Sequence, residues 1–139
     1  MEQVKKKINL KIIIPIVIVV IVAIVGIVIV KNNKLTQEEQ LAVDYLLCNS
    51  LIKPNTTEIH RVWVYEENGK WYFAYDMTTE FSMLGKFEMI YGNEEGLTLE
   101  VLSNLKINSL SPRDFDTPAK EKGKKLNANK IQKAFAEQY

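Results

Sequence analysis

Few residues in this chain have the type and spacing that chemistry requires. The only histidine is His60 and the only cysteine is Cys48. A hydrolytic triad needs a nucleophile, a base and a group that orients the base. His60 lies inside the alternating run IHRVWVY, with no Gly-x-Ser-x-Gly turn and no Cys/His pairing to support it, and it reads as a structural strand residue. One Cys and one His fall short of a zinc set, and no glycine-rich loop is built to cradle a phosphate. No cofactor or metal is therefore expected. Carboxylates are the remaining candidates. Glu58, Asp76 and Glu80 could do paired acid–base work, although acids are expected on composition in this part of the chain. Asp44 intrudes on an apolar helical stripe and reads as a partly solvated carboxylate bonded to a neighbour. Cys48 reads as a small core residue without the electropositive surroundings of a reactive thiol.

Aromatic side chains carry a clearer signal. Trp63, Tyr65, Trp71, Tyr72, Phe73 and Tyr75 crowd one short stretch. Strand residues alternate sides, so one face cannot take them all. Some must cover the second face of a sheet or line a groove, where rings stack on sugars or meet a protein. Phe81-Ser82-Met83-Leu84-Gly85 adds apolar groups beside a flexible glycine. The candidate binding surface is thus Trp63, Tyr65, Trp71, Tyr72, Phe81 and Met83.

These residues need elements to hold them. Thr36-Gln37-Glu38-Glu39 is a capping box, and Leu41, Tyr45, Cys48, Leu51 and Ile52 follow at helical spacing. Pro54 biases Lys53 out of helical geometry and predicts the helix end. Strands are predicted over residues 59–65 and 71–77, joined through Asn68-Gly69, a strong hairpin signal. Two further strands are expected at 86–91 and 97–102, giving a four-stranded antiparallel meander with one face needing helical cover. Residues 111–118 lack an apolar period, and 120–125 read as a solvated basic stretch. A last helix fits residues 127–139, capped by Asn127, with Ile131, Ala134, Phe135 and Tyr139 on one side. The fold class is α+β.

Upstream lies a different kind of sequence. Overall hydrophobicity is 47% and mean hydropathy −0.10, values that suit a soluble protein, yet residues 12–30 read IIIPIVIVVIVAIVGIVIV. Nineteen residues at 1.5 Å rise reach roughly 28 Å, close to the hydrocarbon thickness of a bilayer. In lipid the backbone must satisfy its own hydrogen bonds, so helix wins over the β preference of Ile and Val. This segment, marked by Ile12, Ile18, Ile24 and Val30, is expected to be a transmembrane anchor, with Pro15 in its first turn. A cleavable signal peptide would have a shorter apolar core ending in small residues; here it ends Val30-Lys31-Asn32-Asn33. Lys5, Lys6, Lys7 and Lys11 precede it, and Lys31 and Lys34 follow, which favours a cytoplasmic amino end. The expected organisation is a cytoplasmic basic stub (1–11), a span (12–30), a linker (31–35) and an extracytoplasmic domain (36–139) in the cell membrane.

Charge is uneven along the chain. Residues 1–34 hold six Lys and one acid, residues 35–100 four basic and twelve acidic groups, and residues 101–139 eight basic and four acidic. An acidic middle and a basic tail suggest either internal complementarity or contact of the tail with anionic surface polymers or headgroups. Nucleic acid is not an expected partner of an exported domain without a pronounced basic patch. With one thiol there is no intrachain disulfide.

The order of elements, with Leu51-Ile52-Lys53-Pro54-Asn55-Thr56 closing the helix before IHRVWVY and WYFAYDM, resembles a group of small exported or membrane-anchored bacterial domains without an assigned activity. Phe81 and Leu84 stand where that pattern has Asn and Gly. The resemblance implies an architecture and no site residues. The function expected is a noncatalytic, membrane-tethered binding module, its partners membrane lipid and another membrane or envelope protein. The alternatives are a small envelope hydrolase using carboxylates, or a regulatory or inhibitor subunit of a neighbouring membrane protein.

Overall fold

A computed structural model describes residues 10–81, 83–104, 113–114 and 118–139, with backbone alone at 10–12, 28–33, 81 and 113–114. The chain divides into two units, Met1–Lys34 and Leu35–Tyr139.

The first unit contains α1, Leu10–Asn33, a helix of 24 residues. It starts earlier than expected, so Pro15 lies inside the helix rather than in its first turn and deletes the bond its N–H would give to the carbonyl of residue 11. Every described side chain of α1, residues 13–27, is exposed. That stretch covers roughly 22 Å, and among the described residues no helix is long and apolar enough to cross a membrane. The side chains of Ile12 and Val30 lie outside the described residues, whereas Ile18 and Ile24 are 55% and 56% exposed.

The second unit is an α+β domain. Its first helix, α2 (Gln37–Leu47), opens on the predicted capping box. Thr36 Oγ1 accepts from the N–H of Glu39 (3.2 Å), and the Glu39 carboxylate accepts from the N–H of Thr36 (2.9 Å). The helix ends before Cys48, well short of Pro54. Asn49, itself buried, folds its side-chain oxygen back onto the N–H of Leu51 at 2.9 Å, a local bond that competes with helix continuation. Ile52 still reaches the core, but Leu51 is 62% exposed.

Three long strands follow as an antiparallel meander: β1 (Glu58–Glu67), β2 (Lys70–Phe81) and β3 (Gly85–Gly92). Asn68 and Gly69 both have positive φ (53° and 76°), the mirror-image turn whose twist suits paired strands. A bulge between Ile59 and Arg61 leaves His60 as the extra residue, which is why buried Ile59 and Val62 stand three apart on one face.

The predicted fourth strand is mostly helix. Only Leu97–Thr98 (β4) pairs with β2, opposite Lys70 and Trp71. Thr98 Oγ1 then accepts from the N–H of Val101 (3.2 Å) and starts α3, Leu99–Ser103. Leu97 and Leu102 are buried while Leu99 and Val101 are exposed, so the apparent alternation was not a strand face. Residues 120–125 keep Lys122, Lys124 and Lys125 solvated, as expected, but lie in short elements rather than in loose chain. After a two-residue strand β5 (Arg113–Asp114) against β3 come α4 (Pro118–Lys122) and β6 (Lys124–Leu126). Strand β6 pairs with β1 at Val62, Trp63 and Val64. The final helix, α5 (Ala128–Gln138), is capped by Asn127 as expected. Across the sheet the order is β5-β3-β2-β1-β6, with β4 beside β2.

Helices α2 and α5 pack together, and α5 lies against β1. Val62, Val64, Phe73, Tyr75 and Met77 join Tyr45, Leu46, Ile131 and Phe135 in one core. The Tyr45 ring stacks on Phe73 (5.4 Å) and Tyr75 (5.9 Å), and the Tyr75 hydroxyl donates to the Ala42 carbonyl at 2.7 Å. Each such side chain, fully buried, contributes about 1.5–3 kcal/mol by removal from water.

Candidate functional site

Alternation on β1 and β2 divides the aromatic hairpin between two faces. Phe73 and Tyr75 point to the helices and are fully buried. Trp71 has the same parity and packs half-buried against the core, so it leaves the candidate binding group. Trp63, Tyr65 and Tyr72 share the other face, each half-buried. Tyr65 and Tyr72 are directly paired across the strands, with ring centroids 5.9 Å apart. Two cations lie on these rings. The Arg61 guanidinium sits 5.3 Å from the Trp63 ring centre, and Lys122 Nζ sits 5.9 Å from that of Tyr65. Such contacts are worth about 0.5–1 kcal/mol each when exposed.

Strand β6 and helix α4 complete this end of the face. Lys125 stands opposite Trp63 in register and is exposed. Helix α4 packs against β1 and β2, and both Ala119 and Ala74 are fully buried. At Gly123 a Cβ would lie 2.1 Å from the Ala119 carbonyl oxygen and 2.8 Å from that of Val64. Only glycine lets the chain pass that close to β1. The sequence signal for this arrangement was present in Gly123 and the alternation at Lys125 and Leu126, but a three-residue strand is too short to announce itself.

Met83 belongs elsewhere. It is 95% exposed, and Leu84 77%, at the tip of the β2–β3 hairpin. Seven residues of β2 separate Ala74, opposite Trp63, from the strand's end, about 23 Å. The Phe81 side chain lies outside the described residues.

The carboxylates also separate. Asp76 is 3% exposed and accepts from Arg61 Nε at 2.7 Å; it is committed to holding the guanidinium over Trp63. Glu58 and Glu80 line an open polar depression of about 290 Å³ with Thr78 and Lys86, and both are exposed. Beside them His60 Nε2 lies 2.7 Å from Thr78 Oγ1. Thr57, from the same lining, keeps its hydroxyl buried without a partner among the described residues. No set of three potential metal ligands occurs among the described residues. Asp44 accepts from Gln40 Nε2 at 2.8 Å, as a solvated helix-edge carboxylate should. Cys48 is buried, and burial, then the nearby Asp44 charge, pushes its thiol pKa up, which keeps it protonated and unreactive.

Asn93, a residue not singled out in the sequence, supports the site from behind. Asn93 follows β3 at the point where that strand leaves β2. Its Oδ1 accepts from the N–H of Phe73 (2.6 Å), and its Nδ2 donates to the carbonyls of Trp71 (3.0 Å) and Glu95 (2.8 Å). It thereby fills the gap in the ladder between β3 and β4.

No family model, no curated protein and no solved structure matches the chain.

Proposed function

We propose that this chain is a single-pass membrane protein whose α+β domain is an extracytoplasmic, noncatalytic binding module. The reading of the anchor rests on nineteen consecutive residues without a polar side chain, 12–30, inside a 24-residue helix. A helix apolar all round has no stable place in water. Four lysines before the apolar stretch and two after it support a cytoplasmic amino end. The binding reading is carried by one observation: Trp63, Tyr65 and Tyr72 remain partly exposed on the sheet face turned away from α2 and α5. Rings that the fold does not fully bury, on a rigid sheet, form the kind of surface that contacts a partner.

Two measurements test it. With Cys48→Ala as background, single cysteines at positions 3 and 138 are treated in intact cells with an impermeant thiol reagent. Labelling at 138 alone is expected, and labelling at 3 alone overturns the orientation. A photo-crosslinking residue at position 72 is expected to capture an envelope component that one at position 133, on the exposed side of α5, does not. Equal capture at both positions overturns the assignment to this face.

A carboxylate hydrolase is the second reading, favoured by Glu58 and Glu80 lining one depression. It requires that Glu80→Gln abolish a hydrolytic activity while the fold is kept. Against it, Asp76 is held by Arg61, and both glutamates are exposed in an open depression.

A further inference from the structure

The charge pattern of the chain and the pairing of β6 together identify the class of ligand. Residues 35–100 are strongly acidic, yet the aromatic end of the outer sheet face is bordered by cations. Two of them come from the basic tail: β6 places Lys125 opposite Trp63, and α4 lays Lys122 over Tyr65. Arg61 completes the border, its side chain 52% exposed although its partner Asp76 is buried. The aromatic end also holds one acid, Glu67, which accepts from the Tyr65 hydroxyl (2.9 Å), whereas among the described residues the opposite end of the same face carries Glu58, Glu80 and Glu88 against the single cation Lys86. The face is therefore polarised, with its rings at the cationic end.

We infer that this end, around Trp63, Tyr65 and Tyr72, binds an anionic polysaccharide. The inference rests on the binding reading above and specifies what that site takes. Rings on neighbouring strands stand about 5 Å apart, and those two residues apart on a strand about 7 Å. Their electron-rich faces attract the polarised C–H groups of a sugar ring, and the Tyr72 hydroxyl can exchange hydrogen bonds with its hydroxyls, whereas the Tyr65 hydroxyl, which donates to Glu67, is left to accept. Lys122 and Lys125 are then positioned for the carboxylates or phosphates of the polymer. A lipid surface fits less well, because among the described residues the cross-strand neighbours of these rings are Ala74, Lys125 and each other rather than large aliphatic side chains. An acidic peptide would satisfy the lysines and leave the rings without flat partners.

The test uses the full chain in nanodiscs of uncharged zwitterionic lipid and titration calorimetry with three probes: oligogalacturonate, a neutral glucose oligomer and polyglutamate of matched charge. Oligogalacturonate is expected to bind at least tenfold more tightly than either of the others. Lys122→Glu with Lys125→Glu, both exposed positions, is expected to weaken it at least tenfold with thermal stability kept, and Tyr72→Leu to do so without altering the charge. Equal binding of polyglutamate, unchanged binding by both variants, or no binding of oligogalacturonate overturns the inference. If oligogalacturonate fails while position 72 still captures an envelope component in cells, the sugar class falls and the binding reading stands. If both fail, the outer face is not a binding surface.

Discussion

Tyr72 and Phe73 are neighbours on β2, yet they belong to two regions with different physics. Phe73 faces the helices, stacks on Tyr45 and is removed from water. Tyr72 faces the other way, meets Tyr65 and stays half-exposed beside cations. The helix-covered region is closed: its polar atoms answer one another, as when the Tyr75 hydroxyl finds the Ala42 carbonyl. The outer region is open, with its cations resting on aromatic faces and its one buried acid, Asp76, holding Arg61 in place. A pleated strand makes this division automatically, since adjacent side chains leave on opposite sides. The lesson is that aromatic density alone does not mark a surface; parity relative to the helices does.

Substitution should separate the two regions by several kcal/mol. Phe73→Ala is expected to cost about 3–5 kcal/mol by emptying a packed site, whereas Tyr72→Ala should cost about 1 kcal/mol or less. Urea unfolding of the two variants makes the comparison, and equal losses would mean that the outer rings are a second core under α4. Next in size, alkaline pH should act through the closed region. Burial, then the neighbouring Cys48, raises the Tyr45 phenol from 10.0 to about 12, and burial raises Tyr75 as well. The unfolded chain ionises these groups first, so the stability they provide is intact below pH 10 and falls as pH rises toward 12. The fall amounts to up to about 3 kcal/mol for Tyr45. Tyr45→Phe should flatten that limb of a stability–pH curve.

Asn93→Ala is expected to cost about 2 kcal/mol, because it leaves the Phe73 N–H without its acceptor inside the sheet. Faster amide exchange at Phe73 would report the mechanism directly. Smallest is the cap. Thr36→Ala should cost about 1 kcal/mol and fray the first turn of α2. The same turn has a mild acid dependence. Backbone hydrogen bonding, then the Thr36 side chain, holds Glu38 below its usual pKa of 4.5, with a lesser effect from Lys124, 3.9 Å away. This contribution is present above pH 4.5 and is lost as pH falls through the lowered value. Neither change should touch the outer face, and a loss of binding on either would tie the two regions together.

Legibility in the sequence followed the range of the interactions. The capping box at Thr36, the Asn68-Gly69 turn, the three long strands and the Asn127 cap were readable because each depends on residues a few positions apart. The apolar character of residues 12–30 was equally plain, being composition over a continuous run. What could not be read depends on partners distant in sequence. Whether LTLEVL continues as strand turns on Thr98 capping α3 against its short pairing with β2, and the cap wins after two residues. The basic stretch 120–125 contains no periodicity, yet its last residues become the edge strand beside Trp63 because Gly123 lets the chain approach the carbonyl of Val64. Six aromatic side chains crowding one hairpin, and their division by a two-residue period, follow from residue order alone. Which set α2 and α5 cover, and that lysines from the tail border the other, depends on the packing of the whole domain. A strand's parity is local, but the side on which helices pack depends on contacts across the whole domain.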